Sequence, residues 1–502
     1  MIKFLIKIAF IFFISNFYCQ QYFFGDNQLR YILEKNIYSN SNTHHTISQP
    51  YLISSFNKDL FQKGIWEYGA IKDTSKFTIL PFLSLSQAPI LSILKLNYAA
   101  GMQFNFESSK LSSQLRLGYQ AGFGNNLNQN YSNDILLIPS IGYVDDSLKI
   151  SYNKPIFRGL ISYKINKYIV LSGGSEKNKF GDGYRSLWLS EFAPIYPFLK
   201  LESTFWKVKY VNLWSLHDDR HSTGFSNKKW ASSHLLSYNV NKWLNLSLFE
   251  SVVWQDKDTL INRGPDINYF NPFIFFRPVE YGIGSADNSL IGAGLKLTIN
   301  QYFITYSNFI LDEFLLSGLR NRTGWWGNKY GLQFGFKMFD ILNQEGLYSN
   351  VEYNSVRPYT YSHMSSKQNY GHKNHSLAHP LQSNFKEFLI VLGYQINNLD
   401  FSFQYHNQLF GIDSSGINFG GNMFNSYVDR NGDSAQFTGQ GNLVRQNIFI
   451  AQFSYLIVPS ANTKLYLQLN IRRSKDINDF PIDYNMVNFG VSSRLWQNQK
   501  DY

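Results

Sequence analysis

The 502-residue chain contains one cysteine, Cys19. It closes the stretch MIKFLIKIAFIFFISNFYCQ, in which Lys3 and Lys7 precede an apolar run from about Ile8 to Ile14 and a more polar exit. That is the pattern of a secretory signal peptide, assigned to 1–19. Tyr18 stands where a small residue is expected before a lipidated cysteine, so a lipoprotein anchor does not fit. Cleavage near Cys19 or Gln20 leaves a mature chain without thiols, which excludes disulfides and thiol chemistry.

Charge is also scarce. Asp, Glu, Lys and Arg make up 16% of the chain, against roughly 25% in soluble domains, while Phe, Tyr and Trp reach 17%. No stretch after the signal approaches 18 uninterrupted apolar residues, which excludes helical membrane spans. The phosphate-cradling G-x-x-x-x-G-K-[ST] and the dinucleotide G-x-G-x-x-G are missing, as are G-x-S-x-G and H-E-x-x-H. No repeat of fixed period and no long low-complexity tract is present. No cofactor and no nucleic-acid partner are expected.

What the chain has in quantity is period-2 alternation. In QLRLGYQAGF, Leu115, Leu117, Tyr119, Ala121 and Phe123 alternate with polar residues and glycines. LIGAGLKLTI (from Leu290), KYGLQFGFKM (from Lys329), KLYLQLNIR (from Lys464) and VNFGVSSRLW (from Val487) repeat the pattern. Strands of about ten residues match a tilted membrane crossing, whereas soluble strands average about five or six. Glycines and ionic groups on the opposite face suit a water-filled or plugged lumen. The aromatic groups Trp325-Trp326 and Trp206/Tyr210/Trp214 suit interfacial girdles. The expected fold is all-β: a transmembrane antiparallel outer-membrane β-barrel over 76–502, with about 14 to 18 strands from strand and loop lengths. A small N-terminal plug or cap over 20–75 precedes it, in which DNQLRYILEKN has Leu29, Ile32 and Leu33 at helical spacing behind Asp26.

With apolar residues facing lipid, Arg116, Lys207, Lys209, Lys296, Lys337, Lys464, Arg472 and Arg494 face the lumen, against Asp400 and Glu352. The interior reads as basic, in keeping with a net charge of +11 that becomes +9 once Lys3 and Lys7 are removed. Such an interior suits an anionic solute or polysaccharide, unless loop or plug carboxylates neutralise it.

Four histidines, His363, His372, His375 and His379, fall close together, but no carboxylate lies among the last three in GHKNHSLAHP, and a turn fits better than a metal site. LHDDRH (216–221) reads as a solvated turn. DRNGD (429–433) imitates the start of a calcium loop without the glutamate that completes it. No metal is expected.

The stretch GGSEKNKFGDGYRSLWLSEFAPIYPFLKL, from Gly173, places a glycine-rich polar loop before a run of aromatics and prolines. Gly181 and Gly183 permit a tight path, while Tyr184 and Arg185 supply a ring and an anion clamp. Pro194 and Pro197 end the segment before LKLESTFWKVKY resumes the barrel. The same stretch, with NPFIFFRPVEYGIGSADNSLIGAGLKL, VRPYTYSH and NYGHKNHSLAHPLQSNFKEF, resembles the Wzi-type capsule-assembly outer-membrane proteins. The likeness is nearer to the bacteroidete branch named after the gliding-motility protein RemB and runs roughly from 75 to 500. Gln382-Ser383 stands where the family pattern has Gly-Ala. The resemblance implies eighteen strands, a periplasmic-side helical cap, and attachment or organisation of surface polysaccharide without catalysis.

The expected partners are a surface or capsular polysaccharide, anionic in character, outer-membrane lipid, and motility or secretion components. Candidate ligand contacts are Lys177, Asp182, Tyr184, Arg185, Lys207, Lys209, Lys296, Lys337, Arg357, His372 and His379. A porin for anionic solutes and an outer-membrane hydrolase are the competing readings.

Overall fold

The computed structural model describes residues 45–52, 75–90, 93–123, 136–138, 141–144, 151–220, 226–257, 263–272, 287–414, 416–458, 463–476 and 481–493, with Gln21–Tyr22, Ala70–Ile71 and five residues between Tyr31 and Tyr38. The signal-peptide stretch, Leu29, Ile32, Leu33 and Arg494 lie outside the described residues.

Eighteen antiparallel strands close into one barrel. They are β1 (Ser75–Ile90), β2 (Ile93–Ser108), β3 (Leu111–Phe123), β4 (Ser151–Lys164), β5 (Ile169–Glu176), β6 (Tyr196–Phe205), β7 (Val208–Arg220), β8 (Ser226–Asn239) and β9 (Leu244–Gln255). The second half comprises β10 (Asn288–Asn300), β11 (Phe303–Glu313), β12 (Lys329–Phe339), β13 (Leu347–Val356), β14 (Phe385–Ile396), β15 (Leu399–Ile412), β16 (Asn442–Val458), β17 (Thr463–Lys475) and β18 (Pro481–Ser492). Each pairs with the next, and β18 returns to β1 through Phe489↔Gln87 to Ser492↔Ser84. Four residue pairs, 489–492 against 84–87, seal this seam, and an apolar medium favours such closure because it pairs backbone groups across the wall.

Directly opposed residues share a face, so one register fixes the orientation of every strand. On β12, Leu332 and Phe334 are about half exposed and face outward, while Gln333 and Lys337 are buried on the lumen side. The outward row continues around the wall in Leu117 and Tyr119, Leu246 and Leu248, and Leu465, Leu467 and Leu469. The alternation read from the sequence is this lipid-facing row.

The two ends differ. At the end from which β1 rises, hairpins are tight, as at Trp206–Lys207 and Gln301–Tyr302. At the other, β5, β9, β11, β13 and β15 are followed by long connections over 177–195, 256–287, 314–328, 357–384 and 413–441. In outer-membrane barrels short turns are periplasmic and long loops extracellular.

Several expectations change. Lys207 lies in the β6–β7 turn, not on the lumen wall, and its Nζ donates to the Val240 carbonyl at 2.8 Å. His217–Arg220 continues β7 and is no turn. Trp206 is 71% exposed at the short-turn end, as an interfacial residue would be. Trp214, near the other end, is covered instead: its ring stacks on Phe270 at 5.4 Å and its indole N–H donates to the Tyr269 carbonyl at 3.0 Å. Trp325 and Trp326 belong to a long loop and not to a girdle.

Candidate functional site: a filled lumen beneath an aromatic rim

The connection after β5 folds back into the barrel, and residues 177–193 are all buried. Inside, its Lys179–Phe180 pairs antiparallel with Ser48–Gln49 of the N-terminal segment, and Gly181 N–H donates to the Ile47 carbonyl at 2.8 Å. Gly181 has a φ of +131°, open to glycine. A Cβ on Gly183 would stand 2.5 Å from a Glu352 carboxylate oxygen. That close approach is the reason for the glycine: Glu352, on the inner face of β13, accepts the backbone N–H groups of Tyr184 at 2.8 Å and Arg185 at 3.1 Å.

Arg185 then forks onto Glu387 of β14, through Nε to Oε2 at 3.3 Å and Nη2 to Oε1 at 3.2 Å. His379 Nε2 donates to the same carboxylate at 2.7 Å, and Tyr184 hydroxyl donates to Gln404 at 3.2 Å. Both side chains brace the loop against the wall.

Carboxylates also meet the other lumen cations. Lys337 contacts both oxygens of Glu34 at 2.8 Å, Lys296 lies 3.7 Å from Asp182, and Lys209 meets Glu202 at 2.8 Å. Arg116 and Arg158 share Glu176. At these positions the basic interior expected from the strands is a paired one, met by carboxylates on the wall and on the inserted segments. Asp182 also accepts from Thr46 at 2.5 Å. Lys177 donates to the Glu191 carbonyl at 2.7 Å, and burial, aided by the Arg158 charge, pushes its ammonium down to about 7.

Between these polar contacts lies a hydrophobic core. Ile47, Phe180, Leu187, Trp188 and Leu189 of the inserted segments pack with Val211, Leu235, Phe249 and Ile310 of the wall and with Leu377, Ala378 and Met423 of two further loops. Trp188 stacks on Phe249 at 5.4 Å and donates its indole N–H to the Phe309 carbonyl at 2.9 Å. The 357–384 connection locks this loop in place: Ser190 N–H donates to the Leu377 carbonyl at 2.7 Å, and Tyr361 hydroxyl to the Leu187 carbonyl at 2.8 Å.

The clustered histidines belong to this bracing. His372 accepts from Asp218 N–H at 3.2 Å and donates to the Ile195 carbonyl at 3.1 Å, and His375 donates to the Lys373 carbonyl at 2.7 Å. Burial pushes both below the ordinary histidine range, His375 to about 4. Among the described residues, no three His, Cys, Asp or Glu side chains are arranged to hold a metal ion.

At the long-loop end, three connections converge on a different surface. Trp326 (after β11) lies 4.8 Å from the ring of Tyr427 (after β15), and the Arg430 guanidinium lies 4.3 Å from the Trp326 ring centre. His363 and Tyr359, both from the 357–384 connection, meet Tyr427 and Trp326 edge-on at 5.9 and 6.3 Å. Lys329, buried beneath and paired with Asp312 at 3.1 Å and Glu313 at 2.9 Å, points at the Tyr427 ring from 4.6 Å. Arg357 ties the loops together by donating to the carbonyls of Asn328, Trp325 and Gln436. Trp325, Trp326, Tyr427 and Arg430 are half-buried, so their outer faces reach solvent, flanked by exposed Asp429, Asn431 and Asp433. Aromatic faces ringed by polar groups suit sugar rings.

Of the candidate contacts named from the sequence, Arg357 alone joins this rim. Lys177, Asp182, Tyr184, Arg185, Lys209, Lys296, Lys337, His372 and His379 brace the interior. The signals that could have found the rim were the Trp325-Trp326 pair and DRNGD, whose Arg430 and Asp433 pair with each other, Nε to Oδ1 at 2.7 Å.

No protein-family model and no curated protein sequence matches the chain. Among solved structures it matches Wzi, an outer-membrane protein involved in group 1 capsule assembly in Escherichia coli and a carbohydrate-binding β-barrel. The TM-score is 0.56 at 11% identity, over 93% of this chain and 98% of that one. The chain has a Wzi-like fold. OprD of Pseudomonas aeruginosa (TM-score 0.44, 10% identity, 86% of this chain and 97% of that one) and OccAB2 of Acinetobacter baumannii (0.46, 11%, 85% and 100%) match more loosely. On the Wzi-like barrel, the filled lumen lies within the wall and the aromatic rim at the long-loop end.

Proposed function

We propose that the protein is an exported outer-membrane barrel that binds and organises a surface polysaccharide of anionic character through the rim of Trp326, Tyr427 and Arg430, without catalysis. The observation that carries this reading is the contact of Trp326 with both a guanidinium and a second ring on a half-exposed surface. Arg430 and Asp433 form an exposed pair, and such pairs contribute little, so an acidic sugar can exchange for Asp433 at small cost. The carbohydrate binding of the structurally similar Wzi supports the same reading. Support of surface adhesion and gliding motility belongs to this proposal as its consequence, since motility components act through the same surface layer.

The test is equilibrium binding of detergent-purified protein to acidic capsular polysaccharide from the producing strain, at low and high salt, with neutral dextran as control. Trp326→Ala and Arg430→Gln should each weaken binding about tenfold, ~1.4 kcal/mol, and salt should weaken it further. Unchanged binding in both variants would sink the rim as the site. The anion-porin reading predicts steady anion-selective steps in planar bilayers, whereas the packed core between Trp188 and Phe249 predicts silence.

A further inference from the structure

A second surface at the long-loop end has different chemistry from the rim. On leaving β11 the chain runs Phe314-Leu315-Leu316-Ser317-Gly318-Leu319-Arg320-Asn321-Arg322, with Leu316–Arg320 in a single helical turn. Phe314, Leu315, Leu316 and Leu319 are each between 43 and 48% exposed, and Arg320 and Arg322 are exposed beside them. Only Gly318 is buried, packed against Trp325 and Asn328. The segment is nevertheless held in shape: Leu315 N–H donates to Asn328 Oδ1 at 2.8 Å, and Thr323 N–H and hydroxyl both donate to the Gly318 carbonyl. An ordered segment that keeps four large apolar side chains outside its own core implies a partner for them.

Its position says which partner. Phe309 and Leu311 occupy the outward, lipid-facing row of β11, and Tyr330 and Leu332 occupy that of β12. The chain leaves this apolar belt at Glu313, whose carboxylate meets Lys329 at 2.9 Å, and continues at once into Phe314–Leu316, so the exposed apolar side chains of the loop follow closely on those of the barrel wall. Arg320 and Arg322 follow, with no ion pair among the described residues. Apolar residues at the edge of a membrane belt, with cations just beyond, are complementary to a lipid that joins acyl chains to a phosphate.

We propose that Phe314–Arg322 seats in the outer leaflet, inserting Phe314, Leu315, Leu316 and Leu319 at the acyl boundary and holding the phosphate of a phosphorylated glycolipid with Arg320 and Arg322. The partner is membrane lipid, distinct from the polysaccharide assigned to the rim, and the seat fixes the height of the rim above the membrane surface.

The full chain, with Cys19→Ser, is reconstituted in phosphatidylcholine vesicles with and without lipid A, carrying an environment-sensitive fluorophore at Leu316→Cys or, as a control, at Gly432→Cys. Position 432 is an exposed loop glycine with no atom within 4 Å of a built Cβ, so the label has room there, and the strain that its φ of +82° puts on a cysteine is confined to an exposed turn. The label at 316 should be quenched at least threefold more by lipids bearing a headgroup-level nitroxide than by aqueous iodide, and the label at 432 the reverse. The Arg320→Gln/Arg322→Gln variant should retain at least fivefold less lipid A in native mass spectra, with phosphatidylcholine retention unchanged. Inorganic phosphate at millimolar concentration should not displace lipid A.

Equal iodide quenching at 316 and 432, or unchanged lipid A retention in the double arginine variant, overturns the proposal. So does shielding of the 316 label that depends on protein concentration, which would mean a second copy of the chain, or shielding by polysaccharide without lipid. Folded mobility on unboiled gels, required of every variant, separates loss of the seat from loss of the barrel.

Discussion

Arg185 and Glu387 meet through two hydrogen bonds inside the barrel, with side-chain exposures of 2% and 0%. One residue stands on a loop that enters from the long-loop end and the other on the wall. Neither charge reaches solvent, so each depends on the other for solvation.

Removing one member is therefore expected to cost far more than removing both. Glu387→Ala leaves the guanidinium buried and also strips His379 of its acceptor, an expected loss of about 3–5 kcal/mol. The double variant Arg185→Met/Glu387→Leu should recover much of it. Urea midpoints in micelles decide the matter, and a double variant as unstable as Glu387→Ala would show that the pair does not act as a unit.

The inner face of β10 leads to a second expectation. Cβ atoms added at Gly292 and Gly294 would come within 2.5 and 2.8 Å of the Trp188 ring system. Gly292→Ala overpacks this contact and should destabilise by about 1–3 kcal/mol. Combined with Trp188→Ala, which should itself cost about 3–5 kcal/mol, the same change should cost clearly less, the remainder coming from the Phe309 carbonyl oxygen, 2.9 Å from the added Cβ. Thermal midpoints of the four proteins measure the coupling, and strict additivity would place the ring elsewhere.

The buried loop histidines set a pH dependence. Burial lowers His363 and His375 to about 4, while an unfolded chain titrates near 6.5. Between these values the unfolded state binds more protons, so stability is full above about pH 6.5 and is lost as pH falls towards 4. His375→Gln should flatten that slope while leaving the shape of the curve above pH 7 unchanged. Identical slopes in the variant and the parent between pH 7 and pH 4.5 would remove His375 from the account.

The barrel was legible because its signal is local. Outward rows such as Leu332/Phe334 and Leu465/Leu467/Leu469 recur every second residue, and register transmits that order around the wall. The inner glycines were legible as space, though not as space for Trp188. The partners of Tyr184 and Arg185 were not legible, because Glu352 and Glu387 lie many strands away and nothing beside either carboxylate marks what it faces. The same distance explains the overestimated basic interior. Lys296 and Lys337 stand out in alternating strands, whereas Asp182 and Glu34, which neutralise them, lie in segments with no alternation. The rim is assembled from a few residues of each of three loops, so only Trp325-Trp326 and DRNGD carried a sequence signal, and adjacent tryptophans suit a girdle equally well.

The pairing of Ser48–Gln49 with Lys179–Phe180 bears on the order of events in assembly. These strands are separated in sequence by the whole of β1 to β5, and such distant contacts form late because the intervening chain must first surrender its freedom. The N-terminal segment thus waits, unmatched, until the loop after β5 arrives to meet it. Once Phe489 to Ser492 of the last strand have zipped onto the first, the wall offers no side entrance, and a segment arriving after the seam can reach its place only lengthwise, through an end of the barrel.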